Sequence, residues 1–181
     1  MIAARLLHPA VLAALAVAVM TTALGYQYLG GYQPCELCIW QRWALLPAIP
    51  LALAAWAMAP GSFGRLAFLV LTALTFLACA GVAGYHVGVE QHWWAGTDDC
   101  VGADLTAGGG IDALRSQLLA TPVVRCDEVT WSVLGISMAG YNMAFSLVAA
   151  GLALITAGRT GRTASPRTGD QDGRIPASAA R

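Results

Sequence analysis

The chain has 181 residues, of which 57% are hydrophobic and 11% charged, with a formal net charge of zero and a mean hydropathy of +0.62. Soluble domains carry about a quarter charged residues, so this composition excludes an ordinary soluble domain and points to lipid. All ten basic residues are arginines, and none forms a basic patch interleaved with aromatics, which speaks against a nucleic-acid surface.

Four apolar runs are long enough to cross about 30 Å of hydrocarbon, which takes about 20 helical residues. The first covers residues 10–29 within an uncharged stretch from 6 to 33. It exceeds the roughly 7–15 apolar residues of a cleaved signal, so a retained helix is expected. Next comes Pro34-Cys35-Glu36-Leu37-Cys38-Ile39-Trp40-Gln41-Arg42, and then a short second run over 43–59. Pro60-Gly61-Ser62-Phe63-Gly64 reads as a turn before the third run, 66–86. Glycines and prolines inside the runs do not argue against spans, because neighbouring helices re-satisfy the backbone. A connection of about 50 residues, 87–136, follows. Within it Ile111, Leu114, Leu118 and Leu119 recur at helical spacing, which predicts a short amphipathic helix packed on the bundle or lying in the interface. Trp40, Trp43, Trp93, Trp94 and Trp131 fall where interfacial aromatics belong. The fourth run covers 137–157, and the polar tail 159–181 lacks the apolar surface to order itself.

Arginine counting orients the bundle. With four spans, both termini share a side with the 60–65 turn. That side holds seven arginines, at positions 5, 65, 159, 162, 167, 174 and 181, and the other holds Arg42, Arg115 and Arg125. The arginine-rich side is expected to be cytoplasmic, so the 30–42 and 87–136 loops face outward.

Four of the five cysteines, Cys35, Cys38, Cys100 and Cys126, lie in or beside those outward loops, on the side where disulfides persist. Four cysteines permit three pairings. Cys35–Cys38 with Cys100–Cys126 is the most economical. A bridge across two residues closes too small a loop to stabilise much and suits exchange better than stapling. A helix starting near Cys38, and Arg42 one turn on, would favour a thiolate there. An arginine at the hydrocarbon edge also needs a polar or anionic partner. Haem attachment fails because Ile39 stands where histidine is required. A zinc site wants a second close pair, and Cys100 and Cys126 have 25 residues between them, so no metal site is expected. Cys79, deep in the third run, reads as a small packing residue.

The P-C-x-x-C-x-x-x-R pattern at residues 34–42, four spans with both ends inside, and a cysteine pair in the large outer loop together resemble the disulfide bond formation protein B (DsbB) family. The resemblance covers residues 5–158. It implies an all-α membrane protein of the bacterial inner membrane: a four-helix transmembrane bundle with a long periplasmic loop carrying a short amphipathic helix. It also implies a quinone-dependent thiol oxidase. Cys100–Cys126 would take electrons from a periplasmic DsbA-like partner through attack on Cys100. Cys126 would then attack Cys35, releasing Cys38 as a thiolate beside ubiquinone or menaquinone. Arg42 matches the family arginine that supports the quinone, and His86, in a looser local match, looks like its histidine near the quinone. His92 has no counterpart and reads as a surface residue. Two other readings remain: a reductive transmembrane thiol carrier, which would hold its cysteines within the spans, and a membrane scaffold with structural disulfides or a metal site.

Overall fold

The computed structural model describes residues 8–97, 100 and 124–164. Its elements are α1 (Pro9–Tyr28), α2 (Glu36–Leu45), α3 (Ala48–Ala57), α4 (Phe63–Glu90), β1 (Ser132–Val133), β2 (Ile136–Ser137) and α5 (Met138–Ala164). Four candidate membrane spans result: α1, α2 with α3, α4, and most of α5. The expected amphipathic helix around 111–119 and the tail beyond 164 lie outside the described residues.

The helix bounds differ from the apolar runs at several points, and two of the differences have local causes. The second span begins at Glu36, two residues before the helix start expected near Cys38 and seven before the apolar run at 43, because Cys35 caps the helix: its Sγ accepts the Cys38 N–H at 3.4 Å, and Glu36 places an acid in the first turn, where the helix dipole favours it. The same span breaks at Leu46-Pro47. Proline has no N–H to continue the ladder and its ring crowds the preceding turn. The chain restarts there with an Ile49 N–H to Leu46 carbonyl bond of 3.3 Å. The fourth helix also runs past 157, to Ala164, so residues 159–164, expected to open an unordered tail, continue the helix.

Small residues hold the bundle together. Ala13 and Ala16 of α1, Ala48, Ala52 and Ala55 of α3, Ala73 of α4, and Ala149, Ala150 and Ala153 of α5 form one buried cluster around Leu12, Leu69, Phe76 and Cys79. Lipid tails are as apolar as leucine, so helices in a membrane associate through close backbone packing, which alanine permits. Larger apolar groups such as Leu74, Leu147, Val148 and Ile155 point outward instead.

Beyond the helices, β1 and β2 form an antiparallel hairpin with Ser132 opposite Ser137 and Val133 opposite Ile136. Its two-residue turn, Leu134-Gly135, has φ of 53° and 76°, as a primed turn requires. The hairpin leans on α5 through a Tyr141 hydroxyl to Val133 carbonyl bond of 3.0 Å. At the same end of the bundle, Gly88 of α4 leaves room for the Trp94 ring, which a Cβ would meet at 1.9 Å. Trp94 stacks on Tyr85 with centroids 5.8 Å apart.

Phe76 is fully buried and meets Phe145 edge-on at 6.5 Å. Phe76→Ala should destabilise the detergent-solubilised protein by about 3–5 kcal/mol, read as a clear fall in its thermal midpoint. Leu74→Ala, on the outward face of the same helix, should leave the midpoint nearly unchanged.

Candidate functional site: two cysteine pairs at one end of the bundle

The N-terminus of α2, the C-terminal turns of α4 and the segment before the hairpin converge at one end of the molecule. Cys100 and Cys126 are joined in a disulfide with a Cα–Cα separation of 5.0 Å. Cys35 and Cys38 are thiols, with Cys35 Sγ donating to Cys38 Sγ at 2.9 Å. The two pairs pack in one apolar cluster with Leu37 and Val89. Cys35 Sγ, Cys126 Sγ and a ring nitrogen of His86 all lie within 4.8 Å of one another. The pairing read as most economical from the sequence is thus matched for Cys100–Cys126, and the second pair stands in its reduced form.

The Cys35 thiol is pushed well above the ordinary cysteine range. The largest cause is its hydrogen bond to Cys38, followed by burial, and then by the negative charge Cys38 can carry. The Cys38 N–H at the cap opposes these effects but does not overcome them. Cys35 therefore keeps the proton that the pair shares.

His86 is 4% exposed. Its Nε2 lies 3.6 Å from Cys35 Sγ and 3.8 Å from Glu90 Oε1, one turn along α4. The ring also reaches the Cys126 backbone. Its Nδ1 meets Gln41 Nε2 at 2.9 Å. Gln41 Oε1 accepts from Asn142 Nδ2 at 2.6 Å, and the same Asn142 nitrogen is 3.4 Å from Cys79 Sγ. With Gln41 donating, the imidazole proton sits on Nε2, towards the sulfurs. Glu90 in turn accepts from the Ser137 hydroxyl. One polar chain therefore ties α2, α4 and α5 together beneath the cysteines.

Arg42 is engaged by α1. Its guanidinium donates to Gln27 Oε1 and, at 3.3 Å, to the Ala23 carbonyl. The partner expected of an arginine at the hydrocarbon edge is therefore a neutral amide and a backbone carbonyl, and no carboxylate among the described residues bonds to it. Arg42, Cys35, Cys38, His86 and Glu90 all line a cavity of about 450 Å³. Tyr26, Trp131 and Tyr141 supply an aromatic wall, with Tyr26 and Trp131 centroids 5.3 Å apart. His92 is exposed, as the sequence suggested, and Cys79 lies in the apolar core.

Four contributors were not singled out from the sequence. Gln41 and Asn142 carry the amide chain, Glu90 lies four residues beyond the apolar run that marks the third span, and Glu36 accepts from the Thr97 hydroxyl while standing 3.9 Å from Cys100 Sγ. Intramembrane polar residues mark function by default, and Asn142 in an otherwise apolar run was the available signal.

The raised Cys35 thiol has a measurable consequence. The thiolate is the reactive form, so a raised value means less thiolate at neutral pH than in an ordinary cysteine, recovered only as pH rises. Pulse alkylation of the reduced protein with peptide mapping should find Cys35 slower than a model thiol at pH 7, with its rate still climbing well above pH 9. Plateau reactivity of Cys35 near pH 7 would contradict the shared-proton arrangement.

The family model for disulfide bond formation protein DsbB matches residues 5–156. The chain is 31% identical over 131 residues to disulfide bond formation protein B of Methylococcus capsulatus, covering 67% of this chain and 74% of that protein. It is 34% identical over 160 residues to disulfide bond formation protein B 2 of Pseudomonas savastanoi pv. phaseolicola, covering 80% and 82%. A third relative, disulfide bond formation protein B of Nitrosococcus oceani, is 28% identical over 160 residues, covering 83% and 90%. No solved structure matches the chain. The match covers three candidate membrane helices, most of the fourth and both cysteine pairs, so the chain belongs to the DsbB family: it is a multi-pass bacterial membrane protein of disulfide bond formation.

Proposed function

We propose that the protein is a quinone-dependent thiol oxidase of the bacterial inner membrane that reoxidises a periplasmic DsbA-like dithiol. The observation that carries this reading is the approach of Cys126 Sγ to Cys35 Sγ within 4.8 Å, beside a cavity that also contains Cys38 and Arg42. Arginine asymmetry supports both termini facing the cytoplasm and the cysteine end facing the periplasm.

The electrons balance as follows. A partner thiolate attacks Cys100, breaking the Cys100–Cys126 bond and releasing Cys126. Cys126 attacks Cys35 of an oxidised Cys35–Cys38 pair, and Cys38 leaves as a thiolate. The partner's second cysteine resolves the mixed disulfide, so the partner leaves oxidised. Cys100 then attacks Cys126, restoring their disulfide and freeing Cys35. Cys35 and Cys38 now hold the two electrons, which is the arrangement of sulfurs described above. A membrane quinone bound in the cavity supplies the two-electron acceptor, ubiquinone or menaquinone. A cavity of this size suits a small ring system, and Arg42 would hold a developing negative charge there. Cys35, with His86 at 3.6 Å, holds a proton at the point where the disulfide re-forms. An acceptor stronger than the partner is required because DsbA-type dithiols are themselves strong oxidants.

The test is consumption of a reduced DsbA-like protein coupled to quinone reduction, together with a thiolate–quinone absorption band in the purified protein. Cys38→Ser should abolish turnover, and Cys79→Ser should retain most of it. Arg42→Met should raise the apparent KM for quinone about tenfold, the loss of one charge-assisted contact. Normal turnover in Cys38→Ser would remove Cys38 as the thiol facing the quinone.

A further inference from the structure

The exchange site has a second property that its redox role does not require. The ligand atoms of Cys35, His86 and Cys126 lie within 4.8 Å of one another and all three residues are buried. Cys38 Sγ is 2.9 Å from Cys35 Sγ. Zinc bonds of about 2.3 Å to sulfur and about 2.0 Å to nitrogen place tetrahedral ligand atoms roughly 3.5 to 3.8 Å apart, and Cys35 Sγ stands 3.6 Å from His86 Nε2. The other ring nitrogen is held by Gln41, the outer support that a ligating histidine needs. The cavity beside Cys35, Cys38 and His86 provides a way in.

We propose that opening the Cys100–Cys126 disulfide turns this end of the bundle into a Cys3His site for a thiophilic divalent cation of the zinc class, with Cys35, Cys38, Cys126 and His86 as ligands. The inference rests on the geometry of the sulfurs and not on the electron acceptor proposed above. Thiolate and imidazole ligands select zinc-like ions over magnesium or calcium. Binding releases the thiol protons and holds three of the four exchange sulfurs reduced, so the cation arrests the enzyme in its reduced form. Forming either disulfide removes ligands and expels the ion. Sequence spacing hides this site, because it pairs the close C-x-x-C with one distant cysteine and a histidine 48 residues beyond Cys38. The Gln41–Asn142 amide chain can serve either histidine tautomer: turned over, Gln41 Oε1 accepts from Nδ1–H, and Nε2 is free to ligate. With Asn142 turned over as well, its buried Oδ1, which has no hydrogen-bond partner among the described residues, would accept from Gln41.

The experiment is a Co2+ titration of the full-length protein in detergent after reduction with a phosphine, followed by displacement with Zn2+. Reduced protein should give the intense visible bands of tetrahedral cobalt together with a thiolate charge-transfer band, lost when both disulfides are re-formed in the same sample. Cys126→Ser and His86→Ala should each weaken binding tenfold or more, Gln41→Leu by about 10- to 100-fold, and Cys79→Ser not at all. Absence of the tetrahedral bands in the reduced wild type, or equal affinity in wild type, Cys126→Ser and His86→Ala, would overturn the site. Loss of binding in Cys79→Ser would overturn the ligand assignment. Quinone reduction plays no part in the readout, so the oxidase reading stands or falls separately.

Discussion

Thiol–disulfide exchange requires the attacking sulfur to approach the bond it breaks, and this constraint organises the whole cysteine end of the molecule. Two pairs that are far apart in sequence must meet, yet neither can be simply stapled to the other. The protein meets this with a capped helix end and a short apolar cluster. Cys35 sits at the α2 N-cap, where the backbone fixes its sulfur. Cys126 is brought over it by its disulfide to Cys100 and by shared burial with Leu37 and Val89. The alanine-rich bundle below is the rigid base that keeps α2 and α4 in register.

Polarity is concentrated at this same end. Each buried polar group inside a membrane protein is costly unless satisfied, and here most are satisfied by one another across helices. Asn142, Gln41 and His86 hold hands across α5, α2 and α4. Glu90 is met by Ser137. The cost of assembling such a chain near the hydrocarbon makes sense if its product is a histidine held with one nitrogen against the sulfurs. Arg42 follows a different rule. Its partners among the described residues are neutral, so its charge remains directed to the cavity it lines. An acidic partner would have cancelled that charge and stabilised the helix pair without leaving a field for chemistry.

Much of this was legible in the residues. Long apolar runs identify spans because only helices satisfy the backbone within lipid, and the C-x-x-C with an arginine one turn on places the chemistry. The rest depended on facts that periodicity does not carry. The early start of α2 turns on a cysteine acting as a cap, a role usually filled by serine or aspartate. The break at Leu46-Pro47 was signalled by Pro47, but proline within a span also occurs without a break. The hairpin is invisible to periodicity because two-residue strands have no alternation to read. Gln41 was overshadowed by its neighbours in the motif, and Glu90 changes meaning once α4 runs four residues further than the apolar run suggested. Contacts between residues 41, 86 and 142 are tertiary, and no local pattern reports them.

The central claim is that Cys126 and Cys35 lie in striking distance within one molecule. It is tested most directly by leaving these two as the reactive pair, in a protein carrying Cys38→Ser and Cys100→Ser, and mapping disulfide-linked peptides after mild oxidation in detergent. The account predicts an intramolecular Cys35–Cys126 bond formed in high yield by monomeric protein. Free Cys35 and Cys126 thiols, or bonds formed only between molecules, would contradict it.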